Sequence, residues 1–224
     1  MKIAILGTGM VGKAHAGRLV ALGHEVALGT QDVEATKKSD KPDNAGQLFA
    51  DWLAKNQSVQ LMPFHEAAEF GDIIINALSG EVSVLVLTGL NQQIGKKIVI
   101  DIANPLDFSH GFPPTLSVSN TDSLGEQLQA AIPKARVVKA FNTLTAALQV
   151  EPSLIASGEH ALFISGNDAV AKQQVTELAE SYGWHTIIDL GDISTARGSE
   201  MYLPLWLRLM DALGTPMFNI AIIK

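Results

Sequence analysis

Six residues near the start of the chain, Gly7-Thr8-Gly9-Met10-Val11-Gly12, have the types and spacing to cradle a phosphate. They follow a short apolar run, residues 2–6, that reads as a buried strand. They open a stretch, residues 11–22, in which Val11, Ala14, Leu19 and Leu22 recur at helical spacing until Gly23 stops them. A G-x-G-x-x-G pattern alone says little, but between a strand and a helix it points to pyrophosphate binding. Gly7 permits the tight turn, Gly9 lets the pyrophosphate approach the backbone, and Gly12 lets the helix pack close to the sheet. The helix start adds free N–H groups and a partial positive charge. The bland alternative is a glycine turn in a fold of the same kind that has lost its ligand.

The second strand, residues 25–29, should declare which dinucleotide is taken. An acid about 20 residues past the glycines grips the ribose 2′-hydroxyl in an NAD site. Gly29 is read at that place, and Thr30 and Gln31 follow it. Without a carboxylate, a 2′-phosphate meets no repulsion there. Thr30 offers a hydroxyl and Gln31 an amide, and Lys37 and Lys38 are close enough in sequence to add charge. Asp32 works the other way. Lys37 and Lys38 read equally as a solvated loop face. These residues favour NADP over NAD.

The elements that must position this loop alternate along the chain. Helical segments are read at residues 45–55, 65–70, 82–90 and 170–182. Strands are read at 59–62, 72–78, 97–103, 136–141, 161–165 and 186–190. Residues 104–120, rich in Pro, Gly and Ser, read as a loop, and Ser123 with Glu126 fits a capping box. Such alternation predicts an α/β fold with a doubly wound (Rossmann), mostly parallel sheet. Residues 1–193 read as the NADP-binding domain. Residues 194–224 read as a small helical C-terminal extension, a helix and a strand-like end, serving the acceptor pocket and a dimer contact.

Ligands of such sheets bind at the carboxyl ends of the strands. Asn76, Ala77, Leu78 and Ser79 are expected to line the cofactor, as are Ala103, Asn104 and Pro105; Asn142 and Thr143 are expected to face the substrate. Strand-to-loop turn chemistry would explain the same residues. Lys139, His110 and Tyr202 are the candidate proton donors, and none is assigned a catalytic role. His15 reads as packing or as an edge of the cofactor loop. Met201 and Leu205 are expected to wall the acceptor pocket, in a helix whose apolar stripe reads otherwise as core or dimer interface.

The 224 residues, 47% of them hydrophobic, suffice for a substantial core. A net charge of −7 argues against a nucleic-acid or anionic-membrane partner. There is no cysteine, which excludes disulfides and thiolate metal sites, and the six histidines show no metal-ligand spacing. No signal peptide or membrane-spanning run is read, so a soluble, cytoplasmic protein is expected.

The segments GTGMVGKA, LGTQD, DIANPLDFS, PPTLSVSNTDSLGEQLQ, ARVVKAFNT and GSEMYLPLWLRLMDALGT together resemble the coenzyme F420-dependent NADP oxidoreductase family, in a bacterial branch. The resemblance implies a homodimer and hydride transfer between NADP(H) and a flat small-molecule acceptor such as F420 or a flavin-like molecule. It also implies that a Ser or Thr followed by an Arg binds the 2′-phosphate. Thr30 matches, and Gln31 departs from the Arg. Two other readings stay open: a non-catalytic NADP(H)-binding sensor, and a dehydrogenase of small hydroxy acids or imines. The second is disfavoured by the mere 30 or so residues after the last α/β strand.

Replacing Arg by Gln removes a permanent charge and a bidentate fork. The preference for NADPH over NADH should therefore be real but reduced, within ~1–3 kcal/mol, the scale of one charge-assisted hydrogen bond. In calorimetric titrations Gln31→Arg should tighten NADPH and leave NADH nearly unchanged. Wild-type affinity for NADH equal to or above that for NADPH would show this reading of the loop to be wrong.

Overall fold

The computed structural model describes residues 1–43 and 46–223. Asn44, Ala45 and Lys224 lie outside the described residues, and with them the expected first residue of the helix at 45–55 and the last residue of the extension.

The chain begins with β1 (Lys2–Leu6), α1 (Met10–Ala21), β2 (Glu25–Thr30), α2 (Val33–Lys37), α3 (Phe49–Lys55) and β3 (Gln60–Pro63). It continues through α4 (Phe64–Phe70), β4 (Ile73–Asn76), α5 (Gly80–Gly89), α6 (Asn91–Ile94) and β5 (Ile98–Asp101). A short hairpin follows, β6 (Leu106–Asp107) and β7 (Thr115–Leu116), then α7 (Leu124–Ala131), β8 (Arg136–Ala140) and α8 (Ala146–Val150). The last elements are β9 (Ala161–Gly166), α9 (Ala169–Tyr182), β10 (Thr186–Asp189), α10 (Ala196–Met201) and α11 (Leu203–Leu213). No helix among the described residues is long and apolar enough to cross a membrane.

The main sheet has eight strands in the order β10-β9-β8-β5-β4-β1-β2-β3. All neighbours are parallel except β8 and β9. This is the expected Rossmann-like α/β fold. The chain builds outward from β1 to β3, then crosses back to β4 on the other side of β1. That reversal opens a crevice at the carboxyl ends of β1 and β4, where Gly7 and Ala77 lie. Central strands are apolar on both sides because helices cover both faces. Ile3 and Ile5 join one buried cluster with Leu19 of α1 and Val175 of α9; Ala4 and Leu6 join another with Ala67 of α4 and Leu128 of α7.

Several sequence expectations change. The loop at 104–120 contains the hairpin β6–β7, paired Leu106 to Leu116 and Asp107 to Thr115. The long C-terminal helix is two, because Pro204 interrupts it and α11 starts afresh at Leu203. The strand-like end is not a strand; it runs beside the start of β9, held by Ala161 N–H donating to Ile220 O (2.8 Å) and Asn219 Nδ2 donating to Ala161 O (2.9 Å). The capping box is half formed: Ser123 Oγ accepts from Glu126 N–H (3.1 Å), but Glu126 itself turns to Arg197 of α10. Gly29 does not stand where a ribose acid would. A Cβ there would lie 2.8 Å from Leu6 Cδ2 and 3.1 Å from Ala67 Cβ, so the residue faces the core under α4. Side chains alternate along a strand, so Thr30 is the residue turned to the site.

A buried polar knot joins the glycine-loop helix to α8 and α9, which pack in the same buried cluster. Gln149 Nε2 donates to Leu144 O (3.0 Å), which leaves its Oε1 facing His15 Nε2 (3.0 Å). His15 Nε2 therefore carries the proton, and Nδ1 accepts from the Tyr182 hydroxyl (3.2 Å). His15 is thus a packing residue. Its burial pushes the imidazole down from 6.5 to about 4, against the smaller opposing effect of the Gln149 bond. The folded pKa lies below the unfolded one, so the site's contribution to stability is full above pH 6.5 and is lost as pH falls to about 4. The loss should reach roughly 3 kcal/mol. In urea unfolding at stepped pH, the stability gap between wild type and His15→Gln should shrink across that window. A gap that does not change with pH would contradict the assignment.

Candidate dinucleotide and acceptor site

The turn after β1 is built by close approach. Gly7 N–H donates to Gly29 O (3.0 Å), and a Cβ on Gly12 would lie only 2.2 Å from Gly7 O. Only glycine at position 12 lets the first turn of α1 sit against the loop. Gly9, the N-cap of α1, has no side chain to cap the helix, and a Cβ there would meet nothing within 4 Å. The loop therefore presents the N–H groups of a twelve-residue helix to open space.

Three clefts meet around this loop. One, of about 710 Å³, runs from Gly7, Thr30 and Gln31 to Ala77, Leu78 and Ser79. A second, of about 450 Å³, lies on the other side of Thr8, Gly9, Thr30 and Gln31, and Lys13 and Thr36 line it too. The third, of about 510 Å³, shares Ala77 and Leu78 with the first and adds Met10, Val11, Ala103, Asn104 and Asn142. Its outer wall is Leu203, Trp206 and Met210 from α11.

Of the residues singled out in sequence, the glycine loop, Thr30, Gln31, Ala77, Leu78, Ser79, Ala103, Asn104 and Asn142 come together at these clefts, with Gly12 packed behind them. Asp32 lines the second cleft as well. The other expected site residues do not line them. Asn76 is wholly buried beneath, donating to Asp101 Oδ1 (2.8 Å) and Ser83 Oγ (3.1 Å). Pro105 and Thr143 are buried in packing. Lys37 pairs with Glu34 (3.5 Å) and faces the depression between α2 and α3. Met201 and Leu205 are 38% and 56% exposed. Leu203, Trp206 and Met210 replace them: a residue two positions from Leu203 lies about 200° round the helix, so Leu205 turns outward.

The polar ends of this site are fixed. Asn104 Nδ2 donates to Asn142 O (2.8 Å), and Asn142 Nδ2 donates to Asn104 Oδ1 (3.0 Å), so the loops after β5 and β8 are pinned to each other. Phe141, just before, is held at φ 61°, a conformation that needs support from its surroundings; His15 packs edge-on against its ring. Thr30 Oγ1 lies 2.7 Å from Thr36 Oγ1, which itself donates to Asp32 O (2.7 Å). The Thr30 proton is therefore directed at Thr36. Asp32 caps α2, accepting from Ala35 N–H (2.9 Å).

Beneath the third cleft lies a buried ion cluster. Lys139 Nζ contacts Asp101 Oδ2 (2.8 Å), Glu200 Oε1 (2.7 Å) and Ala103 O (2.5 Å). Lys139, Asp101 and Glu200 are each at most 1% exposed. Burial works against the ammonium, but the two carboxylates more than reverse it and hold Lys139 above the usual lysine range. Glu200 also accepts from Leu124 N–H (2.8 Å) and Gly125 N–H (3.0 Å) at the start of α7. Lys139 thus has no N–H to spare for a reacting group. His110 lies in the exposed hairpin turn, and Tyr202, whose phenol burial pushes up, does not line the cleft either.

Comparison with known proteins agrees with this architecture. Residues 2–105 match the family described as NADP oxidoreductase, coenzyme F420-dependent. The F420-dependent NADP reductase of Methanocaldococcus jannaschii is 30% identical over 215 residues, covering 93% of this chain and 92% of that protein. A crystal structure of a candidate F420-dependent NADP reductase from Arthrobacter sp. FB24 is 50% identical, with a TM-score of 0.96 and full coverage of both chains. Metalloreductase STEAP3 of Rattus norvegicus is 29% identical over 210 residues, and the chain spans 38% of its length. Full-length likeness at these levels, on a sheet with the phosphate loop at its switch point, means that the chain belongs to the coenzyme F420-dependent NADP oxidoreductase family.

Proposed function

We propose that the protein is an NADP(H)-dependent oxidoreductase that passes a hydride between NADPH and a flat acceptor, F420 or a flavin-like ring. One observation carries the reading of the acceptor. The third cleft adjoins the cofactor cleft at Ala77 and Leu78, and no described residue lining it has a titratable side chain. Reduction of a carbonyl or imine calls for a positioned proton donor. Hydride exchange between two flat rings calls for alignment and a dry site.

The residues present fit the cofactor. Gly9 leaves room at the helix start for a pyrophosphate, with Thr8 beside it. Thr30 and Gln31 stand at the ribose end. Met10, Val11, Ala77, Leu78, Ala103 and Asn104 are placed for the nicotinamide end. When bound, NADPH supplies the hydride. The chain's own part is to hold and to exclude: the paired Asn104 and Asn142 fix the floor, and Leu203, Trp206 and Met210 keep water from the acceptor face.

In this reading residues 1–193 hold the cofactor, and residues 194–224 wall the acceptor and make a homodimer contact. The outward apolar residues Met201, Leu205 and Leu213 support that contact. Relatives named as reductases favour turnover over sensing. Anaerobic mixing of NADPH with oxidised F420 or FMN should show saturable, protein-dependent NADPH oxidation by at least one flat acceptor. Failure of NADPH to bind, or turnover confined to carbonyl or imine substrates, would contradict the proposal.

A further inference from the structure

Position 31 lacks the Arg that would read a 2′-phosphate, and Lys37 faces away from Thr30. Two cations nevertheless line the cleft at this end, Lys41, which is exposed to solvent, and Lys13, which is buried. Lys13, on the second turn of α1, is 4% exposed and lines the cleft shared by Thr8, Gly9, Thr30, Gln31 and Thr36. Its ammonium is pinned by Asp43 Oδ2 (2.5 Å) and by Gln47 Oε1 (3.2 Å). An ammonium has three N–H groups, and among the described residues these two are its side-chain partners.

We infer that Lys13 is the specificity-determining cation for the 2′-phosphate, with Asp43 its carboxylate counterpart in the protein without nucleotide. The inference rests on the proposed NADP(H) reading of the site. Three features argue for it. The ammonium is already ordered, so little side-chain entropy is lost on taking a phosphate. It lies where solvent screening is weak, so a dianion there is strongly favoured. It also differs in kind from a side chain on β2: it reaches the ribose end from the glycine-loop helix, which would let position 31 become Gln without loss of all charge recognition. Asp43 has the charge that a phosphate oxygen would bring. It holds Lys13 in place and opposes the phosphate by like-charge repulsion.

The test separates the 2′-phosphate from the rest of the nucleotide. Wild type, Lys13→Met and Asp43→Asn are titrated with 2′,5′-ADP and 5′-AMP, and with NADPH and NADH, after thermal unfolding has shown each to be folded. Lys13→Met should weaken 2′,5′-ADP and NADPH on the order of 10- to 100-fold, the scale of one charged hydrogen bond, and change 5′-AMP and NADH by less than about 3-fold. Asp43→Asn should tighten 2′,5′-ADP and leave 5′-AMP unchanged. Equal losses on both pairs in Lys13→Met would overturn the inference, because the lysine would then serve the common phosphates or the fold. If Lys13→Met does not fold, unchanged or weaker 2′,5′-ADP binding by Asp43→Asn overturns it instead. A wild type that binds none of the four ligands would overturn the proposed function, and this inference with it; normal NADPH binding by Lys13→Met would overturn this inference alone.

Discussion

One buried ammonium, that of Lys139, ties the sheet to the segment that walls the third cleft. Two carboxylates and one lysine are withdrawn from water under the carboxyl ends of β5 and β8. Charges at that depth persist only when paired and fully hydrogen-bonded. Here the pairing crosses the fold. Asp101 leans on Asn76 of β4, and Glu200, from α10, accepts the first N–H groups of α7. The surplus negative charge is met by the positive end of that helix. Arg197 repeats the link at the surface through Glu126. The cluster thus anchors α10, from which α11 continues with Leu203, Trp206 and Met210 lining the same cleft as Asn104 and Asn142.

The site divides its physics between its two ends. Toward β2 it is polar and charged, with Thr30, Gln31, Lys13 and the open start of α1. Toward α11 it is apolar, with amide and hydroxyl groups but no acid or base among the described lining residues. The polar end suits recognition of phosphate, where charge and hydrogen bonds give affinity. The apolar end suits a reaction in which the protein contributes position. Ala77 and Leu78 line both and mark the passage between them.

Much of this was legible in the sequence because it is local. The three glycines of the phosphate loop act within six residues, and the apolar runs of β1, β4 and β5 announce a sheet covered on both faces. What was not legible depends on which way a side chain points. Gly29 is glycine to make room for Leu6 and Ala67, a reason that exists only once α4 is packed. Met201 and Leu205 turn outward, which is set by how α10 and α11 pack on the rest of the fold and not by their own apolar spacing. Nothing local singles out Lys13, whose burial depends on Gln47, 34 positions away, coming beside it. One signal was available and unused: Asp101 and Lys139 each stand in an otherwise apolar strand, and charges so placed must find each other.

The direct test of this account is a double-mutant cycle on Lys139→Met and Glu200→Gln, read by urea unfolding. Each single substitution leaves an uncompensated buried charge or an unsatisfied partner and should cost about 3–5 kcal/mol. The double variant should cost clearly less than the sum, by more than the ~0.5 kcal/mol expected of independent sites. Additive losses would mean that the last helices are held by apolar packing alone, and that the ion cluster does not set the wall of the third cleft.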